Sequence, residues 1–198
     1  TDLFTPLLQS ISENTGTQDA EGEIGVAYRV IADHLRSLSF AIADGAIPSN
    51  EGRGYVLRRM LRRATRFGRV LGMETPFIYK LVPTLAEVMG DAFPEIRKQQ
   101  AHISKVIEAE EASFGNTLDR GLEIFEQMVA QPKTISQKKL SGEDAFKLYD
   151  TYGFPVDLTR LICEERQLEL DEAGFEVSMD AQRTKARESA RFQTSQIE

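Results

Sequence analysis

The chain has 198 residues, a formal net charge of −7 and one cysteine, Cys163. A lone cysteine excludes an internal disulfide and any site needing several thiolates, and it fits a reducing cytoplasm. With 41% hydrophobic residues the chain can bury one good core or two smaller ones, whereas its apolar runs are far too short to cross a membrane and its N-terminus lacks the pattern of a secretion signal.

Leu3, Leu7, Leu8 and Ile11 follow helical spacing and predict a short docking helix, ended by the polar, glycine-containing stretch from Ser12 to Glu23. From Ile24 to Ile42 apolar residues recur at intervals of three and four, until Gly45 and Pro48 stop the pattern. The next helix is rich in arginine and closes at Gly72. Thr75-Pro76 opens another, running to about Met89, before Gly90 and Pro94 interrupt again. The stretch from Ile96 to Val129 lacks proline and carries an apolar stripe, which predicts one long strut with Gly115 and Gly121 as candidate kinks. Its acidic run, Glu108, Glu110 and Glu111, reads as a solvated face. Gln131 to Lys139 reads as a linker. Ser141 and Asp144 have the spacing of a capping box, Pro155 suits the first turn of a helix through Gln167, and Asp171 can cap a last helix through about Arg191. No alternating strand pattern is present. The expected fold is all-α, with a helical front unit over 1–131 that includes the long helix 96–129, and a smaller helical unit over 140–198. Thr1 in place of an initiator methionine, and the polar run ending at Glu198, suit a piece of a longer chain.

Charge is concentrated in one element. Seven arginines, Arg53, Arg58, Arg59, Arg62, Arg63, Arg66 and Arg69, lie between Gly52 and Met73, a window with no Asp, Glu or Lys. Removing that +7 from a net charge of −7 leaves −14 on the rest. At 100° per residue Leu57, Met60, Leu61, Ala64, Phe67 and Leu71 share one side, and the six arginines from Arg58 onward share the other. A merely solvated helix would interleave acids for i,i+4 support, and none is here. Guanidinium forks match phosphate oxygens, so the strip is a candidate footprint for a nucleic-acid backbone; pairing with the chain's own acidic segments and plain solvation are the competing accounts.

Other chemistries lack their parts. His34 and His102, each on a helix, offer no nucleophile–base assembly and have no His or Cys neighbour at metal-ligand spacing, so both read as structural and no metal is expected. There is no phosphate loop. Phosphate contacts, however, carry no sequence information, which needs side chains at base edges. Asn50, at the mouth of the arginine helix, can donate and accept, unless it serves as a helix cap. Asp150, in a Tyr-Asp-Thr-Tyr-Gly turn, is useful near RNA only opposite a donor. The guanine 2-amino group is the distinctive donor of the shallow minor groove, and in a G·U wobble pair uracil leaves it free. The competing role for Asp150 is a turn cap.

The segments RVIADHLRSLSFAIADGAIPSNEGRGYVLRRMLRRATRFGRVLG (29–72), FKLYDTYGFPVDLT (146–159) and DEAGFEVSMDAQRTKAR (171–187) closely resemble the middle, tRNA-recognition region of alanyl-tRNA synthetases. The resemblance implies an all-helical region that binds the acceptor stem of alanine tRNA and reads a G·U pair there, with the wobble-reading Asn and Asp falling on Asn50 and Asp150 and the arginine helix contacting the stem. It implies a parent enzyme that ligates alanine to tRNA with ATP, magnesium and zinc, its class II catalytic domain before Thr1 and its editing domain after Glu198. Catalysis, metal and cofactors would then lie outside this segment. A helical protein-interaction or oligomerisation module with an arginine docking face is the alternative.

Overall fold

The computed structural model describes residues 3–194, with side-chain surroundings through Lys185. The fold is all-α. Ten helices occupy the described residues: α1 (Thr5–Thr15), α2 (Glu23–Ala43), α3 (Gly52–Val70), α4 (Val82–Met89), α5 (Pro94–Lys98), α6 (Gln100–Val129), α7 (Pro132–Gln137), α8 (Gly142–Tyr152), α9 (Val156–Glu165) and α10 (Glu172–Thr194). A 3-10 turn, Ile78–Leu81, leads into α4, and two-residue strands β1 (Lys139–Leu140) and β2 (Glu169–Leu170) pair in parallel. Two compact units, Thr1–Asn116 and Thr117–Glu198, divide the chain inside α6.

The core of the first unit is built on α2 and α3. Ala27, Ile31, Leu35, Leu38 and Ile42 of α2 are buried, as are Leu57, Leu61, Ala64 and Phe67 of α3, the stripe that the 3.6-residue period places on one side. The α2–α3 loop is threaded tightly: a Cβ at Gly54 would lie 2.3 Å from the Ile47 carbonyl oxygen, so only glycine lets the loop cross the first turn of α3.

Three expectations for this unit change. Instead of a helix from Thr75, the chain makes a 3-10 turn, because the N–H groups of Phe77 and Ile78 both donate to the Glu111 carboxylate, each at 3.1 Å, and α4 follows directly from Val82, with Pro83 in its first turn. The strut is not continuous from Ile96. Gln99 leaves helical geometry (φ −103°, ψ 8°), and its side chain donates to the Ala43 carbonyl at the end of α2, 2.7 Å away. Helix α6 then starts at Gln100 and is 30 residues long, ending at Val129, with Gly115 and Gly121 inside it. The acidic run is not a uniformly solvated face either: Glu108 is exposed, Glu110 half-buried, and Glu111 is 3% exposed.

In the second unit Ser141 caps α8 as expected, its hydroxyl accepting from the Asp144 N–H at 3.1 Å, but the reciprocal half of the box is replaced: the Asp144 carboxylate accepts from that hydroxyl at 2.7 Å. Asp171 accepts from the Gly174 N–H in the first turn of α10, which with the nearby Lys139 ammonium holds its carboxyl below the usual range. Two glycines act through close approach. A Cβ at Gly142 would lie 2.2 Å from the backbone of Gly174 and Phe175, so α8 and α10 meet backbone to backbone. A Cβ at Gly121 would fall 2.0 Å from the ring of Phe154, so this glycine serves packing. The predicted linker contains α7 and leads into β1. Phe125, Leu148, Phe154, Leu158 and Ile162 form the core with Cys163, whose thiol burial pushes up to about 11. Among the described residues no helix is long and apolar enough to cross a membrane.

Candidate nucleic-acid interface

Helix α3 is amphipathic, but the side opposite its core is not one open strip. Arg53, Arg59 and Arg63 are exposed; Arg58, Arg62 and Arg69 are half-buried; Arg66 is 8% exposed. Residues 58, 62, 66 and 69 recur at intervals of three and four, and that edge is covered from within the unit. Arg58 donates from Nε and Nη2 to Glu110 on α6 at 2.9 and 3.1 Å. The Arg62 guanidinium lies over the Phe114 ring, 4.8 Å from its centre. Arg66 lies over Phe67 and reaches Glu23 at 3.6 Å. Arg69 donates to the Met73 carbonyl at 2.5 Å. The flank of six arginines therefore becomes two edges, with Arg58 and Arg62 covered by α6 from about 50 residues farther along the chain, where the periodicity of α3 alone gives no sign of it.

The outward edge keeps the character of a backbone-binding surface. Arg53 and Arg63 carry no ion pair among the described residues, and Arg59 lies 5.9 Å over the ring of Tyr55. Tyr55 and Val56, 46% and 54% exposed, stand between these arginines. Sequence reasoning passed over this apolar pair, although helical phase puts both beside Arg59.

Asn50 is exposed in the bend before α3, and it does not cap that helix. The turn is held by Ser49 instead, whose N–H donates to Gly54 O at 3.0 Å and whose hydroxyl donates to Glu51 O at 2.9 Å. The Asn50 side-chain oxygen accepts a hydrogen bond from Nη1 of Arg58. Since a guanidinium can only donate, the carbonyl end of the amide must face Arg58, and the NH2 end is left to donate outward.

Asp150 is exposed in the last turn of α8, within the second unit. It caps nothing: Gly153, in the left-handed region (φ 67°), donates to Tyr149 O at 3.1 Å, and Phe154 N–H donates to Leu148 O at 2.9 Å, closing the helix with backbone alone. A carboxylate at the negative end of a helix is unfavourable to stability, so its place here has no structural explanation on this element.

His34 is half-buried; burial lowers its pKa, with Asp33 opposing and Arg63 adding to the effect. His102 is exposed. Among the described residues no group of three or more His, Cys, Asp or Glu is placed to hold a metal.

Comparison with known proteins supplies the family. This chain is similar to the alanine–tRNA ligase of Chlorobium phaeobacteroides, 53% identical over 96% of this chain and 22% of the relative. The alanine–tRNA ligase of Chlorobaculum tepidum is 56% identical over 94% of this chain and 21% of its own length, and that of Halalkalibacterium halodurans 47% over 100% and 22%. The chain thus spans about a fifth of the length of these relatives. All of residues 1–198 match the family of class II (A) tRNA synthetases, and the chain belongs to that family.

Proposed function

We propose that this chain is the part of an alanine–tRNA ligase that holds the acceptor stem of alanine tRNA and reads its G·U pair, so that the whole enzyme can attach alanine using ATP. The observation that carries the proposal is the outward edge of α3, with Arg53, Arg59 and Arg63 exposed beside Asn50 in a chain that is otherwise acidic. Its relatives' names supply the RNA. The arginines take phosphate oxygens, fixing the stem without reading it. Asn50 presents its NH2 as a donor to a minor-groove acceptor, and Asp150 accepts from the free guanine 2-amino group. Arg58, Arg62, Arg66 and Arg69, which the sequence groups with the backbone contacts, shape the edge from behind. We assign ATP, magnesium and zinc to the rest of the ligase, together with the catalytic and editing domains as partners.

The test is a titration of the purified chain with two acceptor-stem duplexes that differ only in G·U versus G·C, at two salt concentrations. The wild type binds the G·U stem more tightly. Arg63→Ala weakens both stems alike and flattens the slope of log K against log salt by about 0.9, as loss of one phosphate contact requires. Equal affinity for the two stems would instead favour a protein-docking role for the arginine edge.

A further inference from the structure

The geometry points to Glu110 and Arg58 as positioning residues that set the orientation of the Asn50 amide, a role resting on the stem-reading function proposed above. Arg58 is held at both ends. Its Nε lies 2.9 and 3.2 Å from the two carboxylate oxygens of Glu110, and its Nη2 lies 3.1 Å from Oε2 and 2.9 Å from Oε1. Its remaining terminal nitrogen, Nη1, donates to the side-chain oxygen of Asn50. Both charged side chains are about four-fifths covered, at 22% and 18% exposure, where screening is weaker than at the open surface and a bidentate pair holds its geometry.

The consequence is chemical. An exposed asparagine alone can turn its amide over and offer a base edge either a donor or an acceptor. With Arg58 anchored by α6, the oxygen is engaged and the NH2 group is what the RNA meets. A donor suits uracil O2, purine N3 or a ribose 2′-hydroxyl of the minor groove. Arg58 on this reading touches no phosphate, and Glu110, an acid that would repel RNA if it stood free, acts only through Arg58.

The test measures the ratio of G·U to G·C stem affinity for the purified chain. Glu110→Gln keeps the volume but loses the bidentate charge, and Arg58→Gln removes the anchor; each lowers the ratio about fivefold, the scale of freeing one rotamer-rich side chain. Neither flattens the salt slope. In an Asn50→Ala background Glu110→Gln changes the ratio less than twofold, whereas in an Asp150→Ala background it keeps its full effect. That pattern separates positioning from a general structural role, which would act whatever residue stood at 50. Asn50→Asp, which replaces the donor by an acceptor, lowers the ratio at least as far as Asn50→Ala. Helical circular dichroism identifies any variant that fails to fold, and Arg58→Lys, which keeps the charge without the fork, is then expected to lower the ratio without altering the salt slope. The proposal is overturned if Glu110→Gln and Arg58→Lys leave the ratio intact, or if Arg58→Gln flattens the slope by about 0.9 as a phosphate contact would. If Asn50→Ala itself leaves the ratio intact, the fault lies in the reading role given to Asn50, and the relay falls with it.

Discussion

Asp150→Ala is expected to reduce the preference for a G·U over a G·C stem by about 1 to 3 kcal/mol, roughly fivefold to more than a hundredfold in relative affinity. The size follows from the groups involved. The carboxylate is exposed and makes no hydrogen bond among the described residues, so in the role proposed for it no internal contact has to break before it accepts from the guanine amino group. In a G·C pair that amino group is already engaged by cytosine, and a carboxylate placed there gains less. The same substitution should leave the fold intact and raise its stability slightly, by about 0.5 kcal/mol, because a negative charge is removed from the C-terminal end of α8. Stem titration and a melting curve on the same variant check both halves. Asp150→Asn, which keeps one acceptor oxygen, should fall between wild type and alanine. A variant that binds both stems as the wild type does would remove Asp150 from the reading site.

The second large effect concerns stability and pH. Glu111 accepts the N–H groups of Phe77 and Ile78 from a buried position. Burial pushes its carboxyl up to about 7, from a usual 4.5; the two N–H donors and Arg69 pull it down, and Glu108 pushes with burial. Below pH 4.5 both folded and unfolded chains hold the proton, and the stabilisation linked to the raised value is fully present. Between 4.5 and about 7 the unfolded chain releases the proton while the folded chain keeps it, so stability is lost as pH rises through 7, in all about 3 kcal/mol. His34 runs the other way: its lowered value contributes stability that is present above 6.5 and lost on acidification. Urea denaturation of the wild type and of Glu111→Gln from pH 4.5 to 8 isolates the carboxyl. The glutamine variant starts less stable, since one N–H loses its acceptor, but the gap should narrow as pH rises. A gap that stays constant across this range would show that Glu111 is ionised throughout.

The helical class and most element positions are legible because they rest on local rules: apolar spacing in α2 and α3, Ser141 as the cap of α8, and Asp171 ahead of α10. Features that depend on residues far apart in the chain are not. Nothing between Gly52 and Met73 indicates that Glu110 will take Arg58, 52 positions away, and so the arginines look alike when taken by themselves. Glu111 did leave a signal. Ile103, Ile107, Phe114 and Leu118 are all buried on one stripe of α6, and the stripe has Glu111 where another apolar residue belongs; a carboxylate at that phase marks a buried polar contact. The strands β1 and β2, two residues each, are shorter than any alternation that could reveal them. The candidate site was legible as to residue types, since the type at positions 50 and 150 limits what each can offer RNA, but not as to which end of the Asn50 amide faces outward, which depends on the Arg58 contact.

The most direct measurement replaces the wobble guanine of the stem by inosine, which lacks only the 2-amino group, and compares I·U with G·U for the wild-type chain and for Asp150→Ala. The wild type should lose about as much affinity on the inosine stem as Asp150→Ala loses on the guanine stem, and combining the two changes should cost little more than either alone. Equal binding of I·U and G·U stems by the wild type would contradict recognition of the G·U pair through its free amino group.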